Sequence, residues 1–326
     1  MRGTTPRVWG RADSFPRRAP TRLRQPHTRP RVWPSTSVVA SRVTCVRIDL
    51  HVHSTASDGT SPPAAVMAEA AAAGLDVVAL TDHDTTAGWG EAARAVGDVG
   101  VSLVPGAEIS CQAGGISVHL LSYLQDPTEP ELLAELQRTR TDRLSRARRM
   151  VDRIARDYPL TWEEVAAQVE PGATVGRPHI ADAMVAAGLV RDRDEAFAMV
   201  LHSRSPYFIR HYAPDAVDAV RLVREAGGVP VMAHPLAARR GRVVSDVVIA
   251  DMAAAGLAGL EVDHRDHEPE ERAHLRALAA DLGLFTTGAS DYHGAGKLNR
   301  IGENLTDPEV LEIIEAEAGG VTVVRP

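Results

Sequence analysis

The stretch "IDLHVHSTASDG" (48–59) sets His51, His53 and Asp58 directly behind a short apolar run. Ile48 to Leu50 read as the end of a strand. On an extended backbone His51 and His53 project to the same side, and Asp58-Gly59 marks a turn. One such pair of histidines is compatible with an ordinary loop. The pattern recurs, however. Asp82 and His83 follow "DVVAL", Glu108 lies in "VSLVPGAEIS", His119 in "ISVHLLSYL", His234 in "GVPVMAHP", and Asp291 and His293 close "LGLFTTGASDYH". Six of the thirteen histidines thus sit in or just behind apolar strand-like runs. Neutral imidazoles mixed with a few carboxylates suit manganese, iron or zinc, whereas a calcium site would use oxygen donors throughout.

The elements that must position these residues alternate in type. "SPPAAVMAEAAAAG" is helical, with Ser61 expected at the N-cap, Pro62 in the first turn and Gly74 as the stop. A helical "GWGEAARAV" follows the second strand. Gly114-Gly115 joins the third and fourth strands, and alanine-rich helical stretches precede the later ones. Seven strands mostly separated by helices imply a parallel sheet. Closed into a distorted barrel, such a sheet brings its strand ends to one face, where active sites form. Residues 126–215 carry no strand signal and read as a helical insertion between barrel segments 46–125 and 216–326. There Leu136, Leu144, Ala147, Val151 and Ile154 are spaced for one helical face, and the arginines of 138–156 read as its solvated side.

Composition narrows the classes. The 326 residues are 44% hydrophobic with a formal charge of −7, which supports a large core and gives no support to bulk nucleic-acid binding. Cys45 and Cys111 make no disulfide framework, so a cytoplasmic location is expected. No apolar run reaches the roughly 18 residues of a membrane span. The first 45 residues differ: arginine-rich, with Asp13 as their one acid and many Pro, Ser and Thr, they are expected to be a disordered basic tail or an upstream misplacement of the start. Lys297 is the single lysine of the chain.

In this order, "DLHVHSTASDG", "LTDHDT", "PGAEIS", "VHLLSY", "MAHP" and "ASDYHG" resemble the PHP (polymerase and histidinol phosphatase) superfamily, over about residues 46–305. They are most similar to its nucleotide-phosphatase branch, which acts on AMP and 3',5'-nucleoside bisphosphates. The resemblance implies a distorted seven-stranded β/α barrel holding two or three divalent ions, manganese first, with iron or zinc as alternatives. It implies one metal on His51, His53, Glu108 and Asp291, a second sharing Glu108 with His119 and His234, and a third on Asp58, His83 and His293. The implied reaction is hydrolysis of a nucleotide phosphomonoester, by water made nucleophilic between the metals. Asp82 is expected behind the ligands, orienting a histidine or serving as proton donor, with Asp84 and Glu261 as weaker candidates for such a place. In the insertion, "VGRPHIADAMV" and "SPYFIRHY" match the same branch: Arg177 and His179 suit an anionic group at a helix start, and Tyr207 or Phe208 a base. The implied partners are a small nucleotide and short 5'-phosphorylated RNA ends, with neither a membrane nor an obligate protein partner. Alternatives are a histidinol-phosphate-type phosphatase, an amidohydrolase-like hydrolase (Lys297 lies beyond the last motif, so not one bridged by a carboxylated lysine), and a degenerate non-catalytic module. His264 and His267 carry no assignment.

Overall fold

Aliphatic and β-branched runs form the strands β1 (Ile48–Val52), β2 (Val77–Leu80), β3 (Ser102–Ala113), β4 (Ile116–Tyr123), β5 (Val229–Met232), β6 (Gly259–Asp263) and β7 (Phe285–Gly288) in the computed structural model, which describes residues 46–326. The expectation for residues 1–45 lies outside the described residues. Every residue of β1, β2 and β5 is buried, as strands covered on both faces require. The strands make one sheet in sequence order. A single bridge between Val52 and Tyr292, with His53 N–H donating to the Tyr292 carbonyl at 2.9 Å, brings the chain after β7 back against β1 and nearly closes the barrel.

The sheet is mixed, which corrects the parallel expectation. β1·β2·β3 and β5·β6·β7 pair in parallel, but β4 is antiparallel to both β3 and β5. Gly114 and Gly115 both take positive φ, 55° and 75°, and make a hairpin, which joins antiparallel strands. Because β4 runs backwards, His119 reaches the site from the first half of its strand; it pairs across from Ser110.

Helices α1 (Pro63–Ala72) and α2 (Trp89–Val99) follow the first two strands. Between β4 and α7 (Ala216–Glu225) lie α3 (Pro130–Ile154), α4 (Trp162–Ala166), α5 (Arg177–Ala186), α6 (Arg193–Ala196) and a π-helical turn, Phe197–Leu201. α8 (Asp246–Ala254), α9 (Pro269–Leu282) and α10 (Pro308–Glu317) complete the order. The N-cap of α1 is Pro62, one residue later than expected, while the Ser61 hydroxyl donates to Glu69 Oε1 at 2.8 Å. The segment between β4 and α7 has a core of its own, built on Met150, Ile154, Val165, Ile180, Met184 and Leu201.

Helix α3 departs from the expected pattern. Leu136, Ala147, Val151 and Ile154 are buried, but Leu144 is 37% exposed. The buried face instead runs through Leu132, Leu136, Thr139, Arg143, Arg146 and Met150, so two arginines expected in solvent point inward. Arg143 can be buried there because a partner waits for it. Its Nε lies 2.7 Å from Asp84 Oδ2 and its Nη2 donates to Ser110 Oγ. Asp84, held at φ 54°, also accepts from the Ser110 amide at 2.7 Å and the Ser110 hydroxyl at 2.9 Å. This joint fastens α3 to the barrel next to His83. Removing one member of a buried ion pair costs about 3–5 kcal/mol. Arg143→Ala is therefore expected to lower the urea-derived stability by about that much, and Arg143→Met with Asp84→Asn to lose less than the sum of the two single changes. Additive losses would show that the two residues do not act as a pair.

Candidate metal centre

One carboxylate gathers the site. Glu108, 1% exposed on β3, sets Oε2 at 3.3 Å from His51 Nε2, 3.1 Å from His53 Nε2 and 3.1 Å from His83 Nδ1. Its Oε1 lies 2.7 Å from His119 Nδ1 and 3.1 Å from His234 Nε2. Asp291 Oδ1 stands 3.5 Å from His51 Nε2, 3.3 Å from His53 Nε2 and 3.5 Å from His293 Nδ1. Asp58 faces His293 Nε2 at 3.2 Å and His83 Nε2 at 3.7 Å. All nine residues expected as ligands therefore come together. Their donor atoms fall into groups able to enclose a cation: His51, His53, Glu108 and Asp291; His53, Asp58, His83 and His293; and His83, Glu108 and His119, with His234 against the same Glu108 oxygen as His119.

The electrostatics and the unpaired atoms both fit metal ions here. Burial opposes ionisation of Glu108, yet His83, His119 and His51 hold its pKa well below the usual carboxylate range. Asp291 is likewise held low against its burial, by Lys297 and Arg240. Burial would depress His53, but Asp291 and Glu108 raise it to about 9. Such proton affinity in a closed site reports a strongly negative potential, which a cation would satisfy equally well. His234 and His293 go the other way, down to about 3 and about 4, chiefly through burial, and offer neutral lone pairs. His51 Nε2 and His53 Nε2 face each other at 3.0 Å. Buried His83 Nδ1, His293 Nε2 and Asp291 Oδ1 have no hydrogen-bond partner. Orphaned buried polar atoms are costly, and here they point at one another's neighbourhood. His234 and Asp291 hold positive φ, 31° and 52°, a strained backbone of the kind that collects at functional sites.

The surrounding shell differs from expectation in instructive ways. Glu261, in the middle of β6, is the residue that orients a candidate ligand: its Oε1 meets His51 Nδ1 at 2.8 Å and its Oε2 accepts the His234 amide at 2.8 Å. Asp82 makes no direct contact with an imidazole. Its oxygens accept from the Ser54 amide (2.8 Å), the Ser54 hydroxyl (2.6 Å) and the Ser57 hydroxyl (2.6 Å), so it holds the loop that leads to Asp58 and reaches His53 only through Ser57. Burial pushes its pKa up against those bonds and the charge of His53. Asp84 is spent on Arg143 and Ser110. His267 is structural: its Nδ1 donates to the Val262 carbonyl at 2.9 Å and its Nε2 accepts the Leu236 amide at 3.2 Å. His264 is fully buried, with Nε2 3.7 Å from Asp291 Oδ2.

Among the insertion residues, Arg177 begins α5, and its Nη1 donates to the Leu201 carbonyl at 2.8 Å. Beside it, His179 Nδ1 accepts the Gly176 amide at 3.1 Å, which caps the helix start. Tyr207 stands apart from the donor cluster: its hydroxyl donates to Asp157 at 2.7 Å, and it lines a cavity with Arg153 and Arg156. Two aromatics lie near Arg177, with the guanidinium carbon 5.3 Å from the Phe197 ring centre and 5.5 Å from that of Phe208.

Comparison with known proteins agrees with this geometry. A model of the PHP domain matches residues 49–164. A 3',5'-nucleoside bisphosphate phosphatase of Chromobacterium violaceum is 36% identical over 78% of this chain and 89% of its own length. A 5'-3' exoribonuclease of Haemophilus influenzae is 32% identical over 79% of this chain and 94% of its own. A solved structure from Bifidobacterium adolescentis, described as a metal-dependent phosphoesterase, superposes with a TM-score of 0.82 at 43% identity, covering 83% of this chain and 96% of that one.

Two substitutions separate the shells. Glu108→Ala is expected to empty the groups that share Glu108 after equilibrium dialysis, leaving at most one ion on Asp58, His83 and His293. Glu261→Gln, which disturbs only the orientation of His51, should weaken metal affinity by about 10- to 100-fold. Elemental analysis checks both, and parental metal content in Glu108→Ala would refute the arrangement.

Proposed function

The chain belongs to the PHP family and is a metal-dependent phosphoesterase, and on that premise we propose that it hydrolyses the phosphomonoester of a nucleotide carrying a second anionic group. AMP and 3',5'-bisphosphoadenosine come first as substrates, with short 5'-phosphorylated RNA as a further one. The observation that carries this reading is a cluster of inward-pointing arginines beside His119. Arg143 touches Ser110, the cross-strand partner of His119. The pKa of Arg146 is brought down to about 9 by burial and then by Arg177 and Arg143, and that of Arg177 to about 10 by burial and then by Arg143. His211, pushed down first by burial and then by Arg143 and Arg146, falls to about 3. Mutually repelling cations gathered out of water call for an anion, and guanidinium pairs with phosphate bidentately. Only Asp84 offsets Arg143 directly; Arg146 Nε and Arg177 Nη1 are tied to backbone carbonyls, at 2.6 Å and 2.8 Å, which orient them without neutralising them.

The division of labour follows. His51, His53, Glu108 and Asp291 would hold one ion, Glu108, His119 and His234 a second, and Asp58, His83 and His293 a third, with manganese the first choice and iron or zinc suited to the same donors. When bound, such ions polarise phosphoryl oxygens and lower the pKa of water. Glu261 fixes the ring of His51. The segment 126–215 acts as a lid: the Thr174 amide donates to the Ala56 carbonyl at 3.0 Å and Arg193 Nη1 to the Asp58 carbonyl at 3.3 Å, while Asp182 grips Arg193 at 2.6 Å. Arg146 and Arg177 receive the second anionic group, and Phe208 between them offers a face for the base. The relatives named for a nucleoside bisphosphate and for RNA support this substrate class, and the complete donor set speaks against a degenerate module.

Arg177→Ala is expected to lower kcat/KM for the nucleotide by about 10- to 1,000-fold, the loss of a charge-assisted contact plus some misalignment. Hydrolysis of p-nitrophenyl phosphate, which is too small to reach the lid, should barely change. An equal loss on both esters, or a preference for histidinol phosphate in a substrate panel, would refute the lid reading.

A further inference from the structure

Asp291 has two oxygens in two different worlds. Its Oδ1 faces the imidazoles of His51, His53 and His293 and has no hydrogen-bond partner. Its Oδ2 is held by two cations from two separate loops: Arg240 Nη2 at 2.6 Å, from the segment after β5, and Lys297 Nζ at 3.0 Å, from the segment after β7. One carboxylate oxygen does not need both. Arg240 already has a carboxylate of its own, Asp266, whose Oδ2 lies 2.7 Å from its Nε. Both cationic side chains are 31% exposed where Asp291 is 1% exposed, so they approach the centre from its open side. Both also keep donors in reserve. Among the described residues Arg240 Nη1 meets no acceptor, and Lys297 spends its ammonium on Asp291 alone. An ammonium carries three donors, and this is the only lysine in a chain that otherwise uses arginine.

We propose that Arg240 and Lys297 form a clamp for the phosphoryl group undergoing hydrolysis, binding its non-bridging oxygens at the Asp291 edge of the centre. Asp266 presets the Arg240 fork, and Asp291 holds both cations at the place where the phosphoryl oxygens arrive. Were ions held at Oδ1 to draw on the charge of Asp291, the outer pair would keep free donors and positive charge beyond what Asp266 balances, which a phosphate would take up through charge-assisted hydrogen bonds. The clamp is distinct from the arginines of the lid, which receive the second anionic group. It rests on phosphoester chemistry and not on the identity of the alcohol.

The test uses inorganic phosphate as the probe, titrated calorimetrically into the manganese-loaded protein, with metal content measured on the same samples. Lys297→Met and Arg240→Gln are each expected to weaken phosphate binding by about 10- to 150-fold, the loss of one charge-assisted contact, at unchanged metal content. Lys297→Arg, which keeps the charge, should stay within a few-fold of the parent. Phosphate affinity unchanged in both variants would overturn the proposal. So would a loss of metal in step with the loss of phosphate binding, because the two cations would then serve only to hold Asp291. Because no nucleotide enters the measurement, a wrong substrate assignment would leave its outcome untouched.

Discussion

Five imidazoles facing one buried carboxylate is the constraint on which the rest depends. Glu108 has His51, His53 and His83 on one oxygen and His119 and His234 on the other. Burying an ionised carboxylate is expensive unless something pays for its lost water. Here the neighbours keep it charged, and the charge in turn makes the site attractive to cations. The nearly closed barrel serves this arrangement: the five histidines arrive from four places, His51 in β1 with His53 just after it, His83 after β2, His119 in β4 and His234 after β5.

The local backbone bends toward the same purpose. β4 runs against its neighbours, so His119 enters from above Glu108 through the β3–β4 ladder rather than from a strand terminus. Asp84, His234 and Asp291 hold positive φ at the ends of their strands. Each is a non-glycine residue in a left-handed conformation, kept there by a web of bonds: Asp84 by Ser110 and Arg143, Asp291 by Arg240 and Lys297, and the His234 amide by Glu261. Strain of this kind survives only where the surroundings over-determine it. The same web ties the insertion to the barrel, because Arg143 belongs to α3 and Asp84 follows His83 directly.

The donor set was legible in the sequence because it sits on short apolar runs, where strand alternation fixes which side chains share a face. The strands were legible for the same reason, though not their bounds: β6 and β7, Gly259–Asp263 and Phe285–Gly288, are shorter than the apolar runs that contain them. The reversal of β4 was signalled by Gly114-Gly115, but alternation with helices outweighed a two-glycine hairpin. Glu261 lies in the middle of β6 and not at a strand end, and its bonds run to His51 and His234, far away in sequence, so a search of strand ends gave it little weight. The position of Asp82 in "TDHD" points to the site, but its bonds to Ser54 and Ser57, through which it reaches His53, join segments far apart in sequence. The inward arginines of α3 were invisible to periodicity, because Arg143 and Arg146 fall on the apolar face only once Asp84, Ser110 and the Ile209 carbonyl are there to receive them. No helix among the described residues is long and apolar enough to cross a membrane.

A negative centre suited to cations lies beside arginines and one lysine suited to anions, an arrangement fit for bringing a phosphoester onto metal ions. The central claim is that hydrolysis requires the ions that the Glu108 cluster would hold. The most direct measurement is phosphatase activity on AMP and 3',5'-bisphosphoadenosine by protein stripped with chelator and then titrated with Mn²⁺, with bound metal counted at each point. The account predicts no activity in the stripped protein and a return that follows metal bound, levelling at two or three ions per chain. Full activity in the stripped protein, or activity that ignores the metal bound, would contradict it.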